Sequence, residues 1–396
     1  MKYWRGYITA GIFAAIKWVL MQLGEKFTTL VDMIYPYVTR MLQSMLSQWS
    51  GSVDFLLWQL IAVVLGVLLL ASIVLMVLLR WNPIQWFGWV LATVCGIFFL
   101  HTCAYGLNNY AGSLADDIRL EVNEYTVSEL AEATTYYRDK ANELALKMDR
   151  DEDGDVIFPT FEEMAVQAGD GFEYLTYKRS FSVFAGSTDP VKELGWADMY
   201  TSMGITGFTM SLTGEAAVNP QIPAVSIPFT MCHEMAHRMC IAQERDANLA
   251  GFLACRFNSS KEFQYSAYYM AYRYCYNALA KVNSSSANAL KNQIKEGVND
   301  LLWHDLSSYD EFFSSKKDET ATKIADTAND TYIKVSGDEK GVASYGEVCD
   351  LMVNWYIQEI ILPTKVKEEE KFDPFDETQV DLTDLIPTVP ETTEAS

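Results

Sequence analysis

Two of the chain's four histidines, His233 and His237, stand four residues apart, and Glu234 directly follows the first of them. Residues four apart on a helix lie on one face, so both imidazoles can reach a single metal ion. A carboxylate in the second position of an H-E-x-x-H pattern is placed to act as general base on a water molecule at that metal. The pattern therefore predicts the centre of a zinc-dependent hydrolase.

The next residues along the chain offer a third ligand. A catalytic zinc ion takes three protein ligands and keeps one position open. Glu244 is the expected third ligand, and Asp246 is the alternative. On one continuous helix Glu244 would lie about 10 Å along the axis from His237, so the chain must bend between them. Asn248 is expected to orient one of the metal-binding residues without contacting the metal itself.

The segment His233–Asn248 resembles a bacterial membrane-protein family, domain of unknown function 3810, whose pattern reads roughly H-E-x-A-H-x-x-G-x-A-x-E-x-E-A-N. The similarity extends to Tyr105–Tyr110 and to Gly214–Asn219. That family is in turn similar to gluzincin metallopeptidases. The resemblance implies a few N-terminal membrane spans, an extracytoplasmic helical peptidase-like domain and Glu244 as the third zinc ligand.

The segment departs from the family pattern at two places, Cys240 and the pair Arg245-Asp246, which moves a carboxylate close to the predicted metal. Cys240 stands where the family has a glycine in the turn. If that position requires a positive φ, a residue with a side chain costs about 1 kcal/mol there. Neither departure removes a predicted metal-binding residue. The conformation of the turn at Cys240 is left open.

Substrate binding and stabilisation of the oxyanion need residues outside the motif. Residues 205–211 alternate like a strand and run into Gly214, Glu215, Ala216 and Asn219, which we predict to form a strand that pairs with an extended substrate. The alternative is an ordinary surface hairpin. A hydrolase also needs a donor to the developing oxyanion, for which Tyr345 is the candidate and His304 the second choice.

An acidic segment, Asp149–Val156, resembles the first half of a calcium loop. Its acids fall at positions 1, 3 and 5, and a glycine follows at position 6. Thr160 stands where the bidentate glutamate is required, so an acidic turn is the favoured interpretation and calcium binding the alternative.

Charge and hydropathy divide the chain. Residues 1–105 carry six basic and three acidic side chains, whereas the whole chain carries 30 and 52. Three apolar runs, Tyr7–Leu23, Phe55–Leu79 and Ile84–Cys103, are long enough to cross a bilayer. Basic residues before the first run and in the turn before the third predict that this side is cytoplasmic, with residues 24–54 as an outer loop. The large acidic excess of the remainder argues against nucleic acid as a partner.

These observations predict a mainly α chain (α+β) in three parts. Residues 1–105 form a membrane domain with about three transmembrane helices, 106–364 a helical zincin-like metallopeptidase domain with a small β-sheet, and 365–396 an acidic disordered tail. The expected function is that of a multi-pass cell-membrane metallopeptidase that uses Zn²⁺ on a peptide or protein substrate outside the cytoplasm. The alternative is a catalytically inactive zincin-like receptor or assembly factor that binds peptides.

Overall fold

A computed structural model describes residues 2–336 and 348–364. The fold is mainly helical with one small sheet, as predicted. The first ten α-helices are α1 Arg5–Lys26, α2 Thr28–Ser50, α3 Leu57–Leu78, α4 Pro83–Ala104, α5 Leu114–Asp117, α6 Val127–Ala145, α7 Phe161–Tyr177, α8 Ala197–Ser202, α9 Ile227–Arg238 and α10 Glu244–Phe257. They are followed by α11 Lys261–Lys281, α12 Ser285–Glu296, α13 Asp300–Lys316, α14 Glu319–Ser336 and α15 Val348–Tyr356. The strands are β1 Lys192–Glu193, β2 Gly207–Met210 and β3 Glu215–Val218.

The residues up to Asn354 form one compact unit, and the described residues beyond it belong to a second. The first unit contains both the apolar N-terminal helices and the histidine pair. The predicted tail, 365–396, lies outside the described residues.

Three helices, α1, α3 and α4, are long and apolar enough to cross a membrane, and they coincide with the three predicted runs. Helices α1 and α4 run parallel, because Gly6 lies against Gly88 while Gly24 lies against Tyr110. A Cβ atom on Gly6 would collide with the backbone of Gly88. Small residues at this crossing therefore let the two helices pack backbone to backbone.

The outer position of residues 24–54 stays a prediction, and the structure shows that most of this segment is not an irregular loop but the helix α2. Its buried residues are all polar: Thr39, Arg40, Gln43, Ser47 and Ser50. The sequence pattern concealed the helix because polar residues on one face lower its mean hydropathy, although apolar residues recur at helical spacing on the other.

The sheet has the order β1-β3-β2, with β3 parallel to β1 and antiparallel to β2. Strand β3 is central and fully buried, and Phe208 of β2 is paired with Ala217 of β3. Among the described residues β1 and β2 are therefore the two edge strands of this sheet, and β2 precedes the segment predicted to bind substrate.

The prediction of a substrate strand at Gly214, Glu215, Ala216 and Asn219 is corrected by this topology. Strand β3 pairs with β2 along its whole length and with β1 at Ala217 and Val218, and all of its residues are buried, so an extended substrate has no access to it. Gly214, at φ 67°, forms the turn between β2 and β3, where the left-handed conformation favours glycine. Asn219 follows β3 and donates through Nδ2 to the Thr201 hydroxyl at 2.8 Å.

Glu215 has a structural role instead. Its buried carboxylate accepts hydrogen bonds from the backbone N–H groups of Leu57 at 2.9 Å and Trp58 at 3.0 Å, and it pairs with Lys192 at 2.8 Å. A negative charge at a helix N-terminus satisfies orphan N–H groups and complements the helix dipole. Glu215 thus fastens the start of the apolar helix α3 to the sheet.

Candidate metal centre

Helix α9 carries both histidines and ends in a tight turn. Cys240 adopts φ 69°, and the N–H of Ile241 bonds back to the Ala236 carbonyl at 3.1 Å. A left-handed residue in this position reverses the chain at a helix end. Helix α10 then begins at Glu244, so the bend expected after His237 is present and brings Glu244 back to the histidines.

The three ligand atoms have the spacing of a tetrahedral zinc site. The two histidine Nε2 atoms lie 3.1 Å apart, and Glu244 Oε2 lies 3.4 Å from His233 Nε2 and 3.6 Å from His237 Nε2. Tetrahedral ligands at 2.0–2.1 Å from zinc are about 3.3 Å from one another. Among the described residues, these three form the only cluster of His, Cys, Asp and Glu ligand atoms close enough to hold one ion.

Hydrogen bonding leaves these atoms free for a cation. The Nδ1 atom of His237 lies 2.9 Å from the Ile241 carbonyl, to which a protonated Nδ1 donates, so the lone pair of Nε2 faces the cluster. Glu244 Oε2 is buried and faces the two imidazole Nε2 atoms at 3.4 and 3.6 Å, with no other donor within hydrogen-bond distance in the described chain. A buried carboxylate oxygen without a donor is costly unless a cation satisfies it. The residues present therefore fit a zinc ion.

The three groups also perturb one another's protonation. Burial lowers the pKa of His237, but the adjacent Glu244 carboxylate outweighs burial and raises that pKa to about 9. Burial likewise raises the pKa of Glu244, yet the two imidazoles prevail and hold it well below its usual range. In the absence of a metal ion His237 therefore holds a proton at neutral pH, and a bound cation would take the place of that proton.

This arrangement predicts proton release on zinc binding. Because the folded pKa of His237 lies above its ordinary value, its proton stabilises the zinc-free fold fully below pH about 6.5 and this stabilisation is lost as pH rises through 9. At pH 7.5, zinc is expected to displace about one proton. Calorimetric titrations in buffers of different ionisation enthalpy measure this number. Glu244→Gln should release fewer protons, and equal release from both proteins would contradict the proposed pairing.

Two polar residues support Glu244 from the side away from the metal. Asn248 donates through Nδ2 to the Glu244 backbone carbonyl at 2.7 Å, and Tyr274 donates its hydroxyl to Asn248 Oδ1 at 2.9 Å. Asn248 is thus where the sequence predicted it. Asp246, the alternative ligand, points elsewhere, since its Oδ2 accepts from the backbone N–H of Leu114 at 2.9 Å.

Glu234 is buried beside the cluster and is held by the edge strand. Thr209 of β2 donates its hydroxyl to Glu234 Oε2 at 2.7 Å. Burial raises the pKa of Glu234, while the nearby imidazoles and the Thr209 hydrogen bond act in the opposite direction. A carboxylate with a raised pKa takes up a proton more readily, as a general base near neutral pH must.

A cleft of about 1060 Å³ contains the site. Glu234, both histidines and Glu244 line its floor, and the edge strand β2 lines one wall through Gly207, Phe208 and Thr209. Other walls come from α11, α13 and α14. A strand edge beside a metal centre in an open cleft suits an extended polypeptide.

Comparison with known families now bears on this geometry. A family model described as protein of unknown function (DUF3810) matches residues 31–353. The chain belongs to the DUF3810 family. No curated protein and no solved structure gives a significant match to it.

Of the two candidate oxyanion donors in this DUF3810 protein, the structure describes one. Tyr345 falls outside the described residues. His304, the second choice for an oxyanion donor, does not line the cleft and instead binds Asp155 at 2.8 Å. That aspartate belongs to the acidic turn, where Asp151 Oδ1 accepts the N–H groups of Asp153 and Asp155. Thr160 caps α7 together with Glu163.

Sequence reasoning missed Gly207, Thr209 and Tyr274. An isolated glycine inside a strand pattern indicates a close approach by another group, and this signal was present at Gly207. Tyr274 had no such signal, because a tyrosine among many on one helix is most often a packing residue.

Gly207→Ala is expected to lower the peptide hydrolysis that the sequence predicts by about 10²-fold and to leave zinc binding intact, because misplacing a reacting group by 1 Å has effects of that size. A Cβ atom at this position would lie 2.5 Å from Glu234 Oε1 and 2.7 Å from its Cγ, so the carboxylate must move. Activity and zinc content of the full chain measure the effect. The matched control is Gly66→Ala, at an α3 position with open space around it; unchanged activity of Gly207→Ala would show that Glu234 is not fixed there.

The turn at Cys240 provides a stability test. A β-branched residue is strongly disfavoured at positive φ, so Cys240→Val should cost about 2 kcal/mol of unfolding free energy and weaken zinc binding through the displaced turn. Cys240→Gly relieves backbone strain but loses a buried side chain, and is expected to stay within about 1 kcal/mol of wild type. Thermal unfolding with and without zinc compares the pair. Equal stability of both variants would argue against a strained turn.

Proposed function

We propose that this chain is a membrane-anchored zinc metallopeptidase of the gluzincin type. The observation that carries the proposal is the convergence of His233, His237 and Glu244, from two helices, on the spacing of a zinc site with Glu234 next to it. A structural zinc site is closed by four protein ligands. Three ligands in an open cleft are what a catalytic site requires.

Each residue then has a definite task. Zinc in such a site supplies a Lewis acid that polarises a carbonyl and acidifies a water molecule. Glu234 receives the proton at its carboxylate and delivers it to the leaving amine. Thr209 holds Glu234 Oε2, and Asn248 with Tyr274 fixes the backbone of Glu244.

Strand β2 is proposed to bind the substrate backbone. Its open edge lines the cleft beside Glu234, so an extended peptide paired with it would pass across the metal. Main-chain pairing supplies affinity, while the cleft walls select side chains. Arg273, on the far wall, pairs with Asp310 at 2.8 Å and lies 4.0 Å from the Tyr309 ring. It is a fixed donor for a substrate carbonyl or carboxylate.

Metal analysis and peptide cleavage by purified full-length protein test the proposal. We expect about one zinc per chain, loss of cleavage with a chelator and recovery on adding zinc back. A protein that binds one zinc but cleaves no member of a degenerate peptide library would instead support the peptide-binding receptor. A protein that binds no zinc would contradict both the centre and the mechanism.

A further inference from the structure

Helix α2 presents an exposed apolar face. Met33, Met41 and Met45 are 67%, 64% and 61% exposed. Other large apolar residues of α2 share this exposure: Leu30, Ile34, Tyr37, Val38 and Trp49. Contiguous apolar surface on this scale marks a contact with a membrane or a partner.

The opposite face of α2 binds the rest of the compact unit through polar side chains. Arg40 donates to the backbone carbonyls of Met239 at 3.2 Å and Ser182 at 3.0 Å, and Gln43 donates to the Ser211 carbonyl at 2.8 Å. A surface helix of a water-soluble protein has the reverse arrangement, apolar inside and polar outside. The outer side of α2 is therefore suited to lipid.

The two ends of α2 are tied to the two apolar helices. Near its start, the Tyr35 hydroxyl donates to the Thr102 carbonyl, in the last turn of α4, at 2.7 Å. Near its end, Lys192 donates to the Ser50 and Phe55 carbonyls at 2.9 Å each and pairs with Glu215, which caps α3.

These contacts place α2 at the side of the apolar helices where α3 begins and α4 ends. Helices α3 and α4 are joined only by residues 79–82, so the start of α3 and the end of α4 lie on the same side. With 23 residues, α2 is about 35 Å long and runs from one of these ends to the other. If α3 and α4 cross a bilayer, α2 lies along its surface.

The metal cleft lies at this same side, next to the end of α4 and the start of α3. Tyr105 and Asn109, just beyond α4, line it, and the ring of Phe208 on its wall packs against Trp58 of the first turn of α3 at 5.3 Å. Ile324 and Ala328 of α14 line the cleft and also a second groove of about 660 Å³.

The second groove is lined mostly by α14, Lys323 included, and touches α4 at one residue in the penultimate turn of that helix. It reaches Phe98, and it is lined further by Thr327 and Thr331, whose hydroxyls donate to carbonyls of their own helix at 2.7 Å. With the hydroxyls occupied and Ala328 between them, this lining offers small apolar groups, against which a helix can pack closely. The groove thus adjoins the metal cleft at Ile324 and Ala328 and contacts the apolar helix α4 at Phe98.

We propose that α2 lies in the membrane interface with its apolar face in the lipid, and that the metal cleft therefore receives polypeptide segments still anchored in the bilayer. A transmembrane helix of the substrate lies in the groove beside Phe98, and its emerging end enters the cleft along β2. The substrate class rests on the proposed peptidase function, whereas the position of α2 does not. Tyr37 and Trp49 on the outer face are residues that favour membrane interfaces.

Spin labelling of the full chain in liposomes tests the position of α2. Labels at Met41→Cys and Met45→Cys, with the exposed Cys103 replaced by serine, should collide more often with oxygen, which partitions into lipid, than with a water-soluble nickel complex. Glu173→Cys on the exposed side of α7 is the matched control and should show the reverse. Nickel access at Met41 and Met45 equal to that of the control would overturn the proposal. Spin–spin broadening at these positions would also overturn it, since it would assign the face to a second copy.

Cleavage in liposomes tests the substrate class. A degenerate peptide library is offered to the zinc-loaded protein either free or joined to a 20-residue leucine–alanine helix. Anchored peptides are expected to be cleaved with a kcat/KM at least about ten-fold higher, because the anchor raises their effective concentration at the cleft. Equal cleavage of both forms would overturn the substrate class. Cleavage of neither would contradict the proposed function and the substrate class with it, while the label accessibility would still decide the position of α2.

Discussion

Replacing Glu234 by glutamine is expected to reduce peptide hydrolysis by a factor of about 10² to 10⁴, the usual contribution of a general base. Zinc should stay bound, because Glu234 is not one of the three ligand residues. The glutamine carbonyl can still accept the hydrogen bond that Thr209 donates, so the volume and the packing are retained while the proton acceptor is lost. The measurements are kcat/KM and zinc content of the full-length protein.

The control for this variant is Glu173→Gln, the same chemical change at an exposed position of α7. It should leave both activity and zinc content unchanged. Cleavage by Glu234→Gln at a rate close to wild type would show that another group takes the proton, and the assigned mechanism would be wrong.

Replacing His233 by alanine is expected to remove zinc. Two ligands hold zinc far more weakly than three, and His237 and Glu244 remain to form an ion pair with each other. Wild-type protein should be stabilised by added zinc, by about 4 kcal/mol when zinc is present at 1,000 times its Kd, and the variant should not respond. Metal analysis and thermal unfolding with and without zinc measure both effects.

His304→Ala is the matched control, because this histidine binds Asp155 away from the cleft. It should retain about one zinc and a normal response to added metal. A His233→Ala protein that still carries one zinc would place the metal at another site and would remove the basis of the proposed function.

The spacing of His233, Glu234 and His237 was sufficient to predict their placement around one point, because helix geometry alone brings residues four apart to one face. The need for a bend before Glu244 also followed from helix length. The glycine of the family pattern left open whether this position needs a positive φ, and the structure places Cys240 there at φ 69°.

The substrate strand shows where local reasoning fails. Alternation identified a strand near residues 207–210, but it could not tell an edge strand from a central one, since that depends on β1, which joins β3 from a distant segment. For the same reason Glu215 looked like a site residue. Only the fold brings Lys192 and the start of α3 to its carboxylate.

The sequence by itself determined the apolar helices, the histidine pair and its base, and the family, because these depend on residue types at short, fixed spacings. The tertiary structure decided that Glu244 rather than Asp246 faces the histidines, that β2 lines the cleft and that α2 turns its apolar face outward. Each of these depends on which distant backbone groups form hydrogen bonds with a polar side chain. The backbone N–H of Leu114 donates to Asp246, and the backbone carbonyl of Met239 accepts from Arg40. Such long-range pairings leave no periodic trace in the chain, which is why the approach of His233 and His237 to each other was predictable from sequence and the position of the cleft beside the apolar helices was not.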